Sequence, residues 1–376
     1  MKHGQSGFTL LEILIAIGIL AIIMAMNSTL LQQMIRGTRQ QGAVVTSQFE
    51  TALGLEVFRN DLAGSGYGLL DAFSDTVSYT EPTAAGDTGA LFNDGSSGVP
   101  RALVHSNSVA VSTFITNSDY LVIKSLSVGA DDAANKWTYI TSDSAQPVHT
   151  WGDSALDMDT GNYMIVIKPR ETIDGTAQLI VEGGAYYLTY AGSSLSNTAF
   201  LPSTGVRYIG YGLSSAAPVM PFNRADYYVR TSATGTSAGC APGTGTLFRA
   251  VTNQTAGGGF TEYPITDCVA NMQVTFRLDR DNDGTIDATV NALTNGSGTA
   301  LTALEIKQQV KEIRVYILAH EGSYDRAYRY NGSSTITVGP DSTLGRDVNL
   351  STLVGANWDR YRWKTYTLFV RPQSFY

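Results

Sequence analysis

The chain opens with its longest apolar stretch. Residues 8–26 contain one charge, Glu12, and no proline. A helix of that length spans about 28 Å, close to the ~30 Å hydrocarbon core of a bilayer, so the stretch is predicted to cross a membrane. The helical pattern then continues. Leu30, Leu31, Met34 and Ile35 extend an apolar stripe, and Val45, Phe49, Leu53 and Val57 recur at four-residue steps among glutamines and glutamates. This second stripe is expected to lie against a globular domain. Asp61 and Gly64 mark the end, giving one helix over 8–62, about 80 Å long. Gly18, Gly37, Gly42 and Gly54 are positions where it is expected to bend or melt.

Past Gly64 the period shortens. Residues 69–118 read as loop, rich in Gly, Asp, Asn and Pro. Short β-branched and aromatic runs follow at 120–126, 162–168, 178–181, 185–190, 208–213, 225–230, 246–251, 272–278, 313–318 and 366–370, each predicted as a strand. The run at 246–251 is expected to pair with 225–230, and 304–311 reads as a short helix. A helix followed by many strands argues an α+β fold: a long N-terminal hydrophobic α-helix packed on a large, mostly antiparallel β-sheet domain. The expected organisation is a leader at 1–7, the helix at 8–62 and a β-rich globular domain at 63–376. Two smaller lobes would also fit the length.

Composition sharpens this picture. Hydrophobic residues are 43%, enough for a real core, whereas only 15% are charged. With 38 Gly and 20 Tyr, the chain resembles an extracellular β-rich protein more than a cytosolic enzyme. The net charge of -8 speaks against nucleic acid as a partner.

Glu12 needs an explanation, because a carboxylate that deep in lipid costs on the order of a few kcal/mol unless it finds a partner. An ordinary secretory signal would keep its positive charge beside the apolar core and end at small residues. Here Lys2 and His3 precede Gly7, and no such cut site follows the apolar run. Gly7, Phe8 and Glu12, in that order before an apolar run, resemble the prepilin signature of type IV pilins and type II secretion pseudopilins. The resemblance implies that a prepilin peptidase cuts between Gly7 and Phe8, that Phe8 becomes N-methylated, and that Glu12 sets registry by pairing with a neighbouring subunit's amino terminus. Major pilins commonly carry a proline near the end of the membrane half, and this chain has none there.

Further segments, at 59–68, 222–228, 247–249, 269–274, 310–318 and 360–370, resemble the minor pilins of the PilW type. That resemblance implies a non-enzymatic component that helps initiate assembly of a type IV pilus and caps it. Its implied partners are the major pilin, other minor pilins, the prepilin peptidase and the inner-membrane assembly platform. It implies an inner-membrane anchor with a periplasmic domain before assembly, and a place on the pilus or cell surface afterwards. A type II secretion minor pseudopilin of the GspJ kind, or a pilus-tip adhesin module, are the alternative readings.

With that orientation Cys240 and Cys268 lie outside the cytoplasm, where a disulfide persists. The alternative is two unpaired buried thiols. The sharpest soluble motif is 279–287. Asp279, Asp281, Asp283 and Asp287 stand at positions 1, 3, 5 and 9, Gly284 at 6 and the Thr285 carbonyl at 7 of an EF-hand-like calcium loop. Val290 replaces the usual glutamate at position 12, so the loop is expected in a β-hairpin, with Glu305 or another distant acid completing the shell. The competing reading is an ordinary Asp/Asn/Gly turn. Catalytic signals are weak: Gly235–Gly239 matches G-x-S-x-G without its strand-to-helix setting, and His3, His105, His149 and His320 show no metal-ligand spacing. Trp137, Tyr139 and Trp151 sit among Ser/Thr-rich loops that could bind sugars or surfaces; the competing and favoured reading is ordinary exposed loops of a β domain.

Overall fold

The computed structural model describes residues 9–82, 92–109, 113–170, 176–231, 239–255 and 257–375. Helix α1 runs unbroken from Leu10 to Ala63. It passes through Gly18, Gly37, Gly42 and Gly54 without interruption, because an isolated glycine costs only about 1 kcal/mol in so long a helix. At its exit the Gly64 N–H donates to Asn60 O, and Gly66 and Gly68 turn the chain with positive φ. Phe375 and Leu126 press against those two glycines where a Cβ would stand.

Two sheets form the globular part. The first, seven-stranded, joins β1 (Ala72–Phe73), β4 (Trp137–Ile140), β5 (Tyr163–Lys168), β6 (Gln178–Leu179), β7 (Leu188–Ala191), β8 (Ser194–Leu195) and β9 (Tyr208–Ser214). The second, eight-stranded, runs in the order β17 (Arg362–Val370), β14 (Val310–Glu321), β12 (Phe260–Leu278), β11 (Gly245–Thr252), β10 (Asn223–Arg230), β3 (Tyr120–Ser125), β2 (Leu103–Ser106), with β13 (Ala288–Val290) beside β12. Among the described residues a small hairpin, β15 (Thr335–Val338) and β16 (Arg346–Asn349), two short α-helices, α2 (Ala303–Gln309) and α3 (Leu350–Val354), and short 3-10 turns accompany the sheets. Pairing is antiparallel apart from β1 with β6. The fold is α+β, as the order of elements implied.

One core unites these parts. Leu55, Phe58 and Leu62 of α1, Ile165, Leu179 and Leu213 of the first sheet, and Tyr227, Met272 and Ile317 of the second bury together. Central strands are covered on both faces. Leu121 and Ile123 of β3 face this core, whereas Tyr120 and Val122 face a second cluster with Tyr228. The predicted pairing of 225–230 with 246–251 is the β10–β11 ladder. Strands β1, β2, β4, β8, β15 and β16 went unread, because strands of two to four residues show too little alternation.

Candidate functional site: the N-terminal helix and its seat

Thr9 caps α1. Its hydroxyl accepts from Glu12 N at 3.3 Å, and the Glu12 carboxylate accepts from Thr9 N and Thr9 Oγ1, both at 2.9 Å. Glu12 thus closes a reciprocal capping box on its own helix. Gly7 and Phe8 lie outside the described residues. From Leu10 to Ile35 every large apolar side chain is between 44% and 78% exposed, a surface that water alone would not tolerate.

The second half of α1 corrects the sequence reading. Its docked face is Thr51, Leu55, Phe58 and Leu62, all buried. Phe58 stacks on Tyr227 at 3.8 Å. Asp61 accepts from Tyr227 Oη at 2.7 Å and Arg249 Nε at 2.6 Å. Thr51 Oγ1 meets Thr266 Oγ1 at 2.8 Å. The four-residue stripe is instead bare: Val45 is 63% exposed, Phe49 71%, Leu53 61% and Val57 39%. At 100° per residue the two sets fall on opposite sides of the helix. The stripe was read as the docked face because it is the more apolar one. The domain chose the face where Gly54 permits close contact and where Asp61 finds Arg249. Beside the bare stripe, Leu53, Gly54 and Val57 form a groove of about 560 Å³ with Tyr263, Pro264 and Ile265.

Further toward the membrane half, the turn after β14 seats the helix. Gln48 Nε2 donates to Glu321 at 2.7 Å, and Gly322 (φ 65°) accommodates Val44. Burial works against the Glu321 charge, but Gln48, Tyr366 and Lys364 outweigh it and hold its pKa below the usual range. Behind that turn Cys240 and Cys268 are disulfide-bonded, Cα atoms 4.9 Å apart. Cys268 has φ 59° where β12 shifts register against both β11 and β14. His320 is buried beside them, its Nε2 accepting from Ala241 N at 2.8 Å.

The aspartate loop links β12 and β13, as the hairpin reading expected. Asp279, Asp281 and Asp283 each offer a carboxylate oxygen within 4.8 Å of one another. Asp279 is buried. It accepts from Asp283 N and Gly284 N, and lies 3.5 Å from Lys311 Nζ. Asp287 stands outside this trio and accepts from Arg280 N. Glu305 does not complete the shell: it closes a capping box with Thr302 at the start of α2. A lone glutamate three residues after a threonine was the available signal for that role. Of the G-x-S-x-G stretch, 235–238 lie outside the described residues.

The bare apolar half-helix, carried on a β-rich domain, fits a membrane-anchored pilin, and the prokaryotic N-terminal methylation motif matches residues 2–26. The family described as type IV pilus-assembly protein W matches residues 226–371, from β10 to just past β17. Together the two matches support a type IV pilin-like minor pilin of the PilW type. The first sheet lies outside both matches. No curated protein and no solved structure matches the chain significantly.

Proposed function

We propose that this minor pilin helps initiate assembly of a type IV pilus and caps it, acting as a structural part and not as an enzyme. The observation that carries the reading is the two-sided helix: one face is docked on its own domain, while the opposite stripe and the whole first half stay bare. Such a helix needs apolar neighbours on its open side, first lipid and then other pilin helices. The domain at 63–376 is bulky for every position in a thin filament wall, which favours a tip or sparse placement. Immunolabelling of sheared pili tests this; uniform label along the shaft would reject it. The rival, a type II secretion minor pseudopilin of the GspJ kind, predicts that deletion abolishes exoprotein secretion and spares twitching.

In this reading the prepilin peptidase cuts between Gly7 and Phe8 in the inner membrane. Glu12 then exchanges its contacts with Thr9 for the terminal ammonium of an adjoining subunit, the major pilin or another minor pilin, at the assembly platform. The Glu12→Ala variant is expected to be cleaved normally but to enter pili poorly; normal incorporation would count against the registry role.

We also propose that the aspartate loop takes calcium. Three converging carboxylates suit a hard cation that seeks oxygen ligands. With Asp287 and Glu305 engaged elsewhere the affinity is expected at about 10⁻⁴–10⁻³ M. Bound calcium would brace the β12–β13 turn. Calcium titration of the full chain, read as melting temperature, should show a rise at millimolar ion that Asp281→Ala abolishes. No rise, or an unchanged response in the variant, removes the metal.

A further inference from the structure

The first sheet carries an aromatic ladder that lies outside both family matches. Trp137 and Tyr139 lie two residues apart on one face of β4, while Thr138 and Ile140 on the other face are buried. Residues 148–151 run along the free edge of β4, with His149 N donating to Tyr139 O at 3.1 Å. Four rings then follow in contact. Tyr139 stacks on His149 at 4.2 Å, His149 meets Trp151 edge-on at 4.7 Å, and Trp151 meets Trp137 at 5.0 Å and 64°.

These rings are held before any ligand arrives. Trp151 Nε1 donates to Trp137 O at 2.9 Å, and Trp151 N and Gly152 N both donate to the Asp157 carboxylate. Tyr139 Oη lies 2.8 Å from His149 Nδ1. Trp137 is nevertheless 42% exposed and Trp151 38%. Val148, Met158 and Tyr190 fill the space beneath, leaving no room for even a water-sized guest. A ligand must therefore lie on the rings and not inside them.

We propose that this ladder is a binding platform for a neutral or amino-sugar glycan chain. The apolar face of a pyranose matches a flat, rigid tryptophan, and ordering such rings costs little entropy on binding. The surrounding charge selects among glycans. Asp157 accepts from Trp151 N and Gly152 N, Lys136 beside Trp137 is paired with both Asp132 and Asp159, and Arg207 lies over Tyr139, so three carboxylates stand against two cations. That balance disfavours uronic or sialic acids relative to neutral or amine-bearing rings. The platform stands outside both family matches, so the proposal is independent of the assembly role.

The test titrates the full-length protein in detergent with the tetramers of N-acetylglucosamine, glucosamine, glucose and galacturonic acid, following tryptophan emission and heat. Saturable binding of at least one of the first three, with galacturonate weaker, is expected. Trp137→Ala should weaken that binding about tenfold. It leaves the Trp151 bond in place, since Trp137 supplies only its backbone oxygen, so the variant should stay folded with only a small drop in melting temperature from the lost ring contact. Trp151→Phe serves as the second variant. Binding of none of the three, preference for galacturonate, or unchanged affinity in folded Trp137→Ala would each overturn the platform. So would a protein partner whose contact needs Trp137 when no glycan binds.

Discussion

Gly54 of α1 lies so close to Ile265 of β12 that a Cβ on the glycine would stand 2.1 Å from the Ile265 carbonyl oxygen. Helix and strand backbones touch there with no side chain between them. Gly54→Ala is therefore expected to push the helix off β12 and to cost about 1–3 kcal/mol, as overpacking does. Gly42→Ala meets nothing within 4 Å and should stabilise by up to about 1 kcal/mol through helix propensity. Thermal melts of the two variants should move in opposite directions. If both rise, the close approach is wrong.

His320 supplies a pH dependence. Burial holds its pKa down at about 4, against the opposing effect of the Gly322 and Glu321 backbone. In the unfolded chain the ring takes up its proton near pH 6.5. Between those values the unfolded state binds more protons, so this contribution is complete above pH 6.5 and is lost as pH falls toward 4. The full loss is about 3 kcal/mol. His320→Gln keeps an acceptor for Ala241 N and does not titrate. Melting curves from pH 7.5 to 4.5 should show a smaller decline for the variant than for the parent. Parallel declines would mean that His320 is not the responsible group.

The disulfide gives a separate stability test. Its two cysteines are 28 residues apart, and closing that loop is worth about 3–4 kcal/mol in the chain-entropy model. A Cys240→Ser/Cys268→Ser chain should lose about that much unfolding free energy and melt at a lower temperature. Because Ala241 and His320 adjoin the bridge, hydrogen exchange should also quicken in the turn at 320–325 that seats Val44 and Gln48 of the helix. Unchanged exchange there would separate the bridge from the helix seat.

Much of the architecture could be read before any coordinates. The span at 8–26, the long helix and most central strands announce themselves, because a buried apolar element leaves a regular period in the chain. The aspartate loop and its hairpin setting were equally plain from Asp279 to Asp287. The docked face of α1 was not. Thr51, Gly54 and Asp61 make that face look polar, and their reasons lie in Thr266, Ile265 and Arg249, more than 180 residues away in the chain. Period says how a helix repeats; it does not say which of two apolar sides meets the domain. Glu305 failed for a similar reason. A carboxylate was sought to complete a metal shell, when the threonine three residues before it already claimed it for a cap.

The two sides of α1 can be told apart by substitution. Leu55 is buried against the shared core, so Leu55→Ala should cost about 2–5 kcal/mol and lower the melting temperature of the domain. Phe49 is 71% exposed on the opposite side. Phe49→Ser should change stability by no more than about 0.5 kcal/mol, as exposed substitutions do. If the bare stripe is where neighbouring helices pack, Phe49→Ser should nevertheless reduce the amount of this protein recovered in sheared pili, and Phe49→Leu should restore it. Leu55→Ala would lower recovery only in step with its lost stability. Equal recovery of the parent and the folded Phe49→Ser chain would show that the exposed stripe takes no part in assembly, and would leave the membrane half as the whole of the polymerising surface.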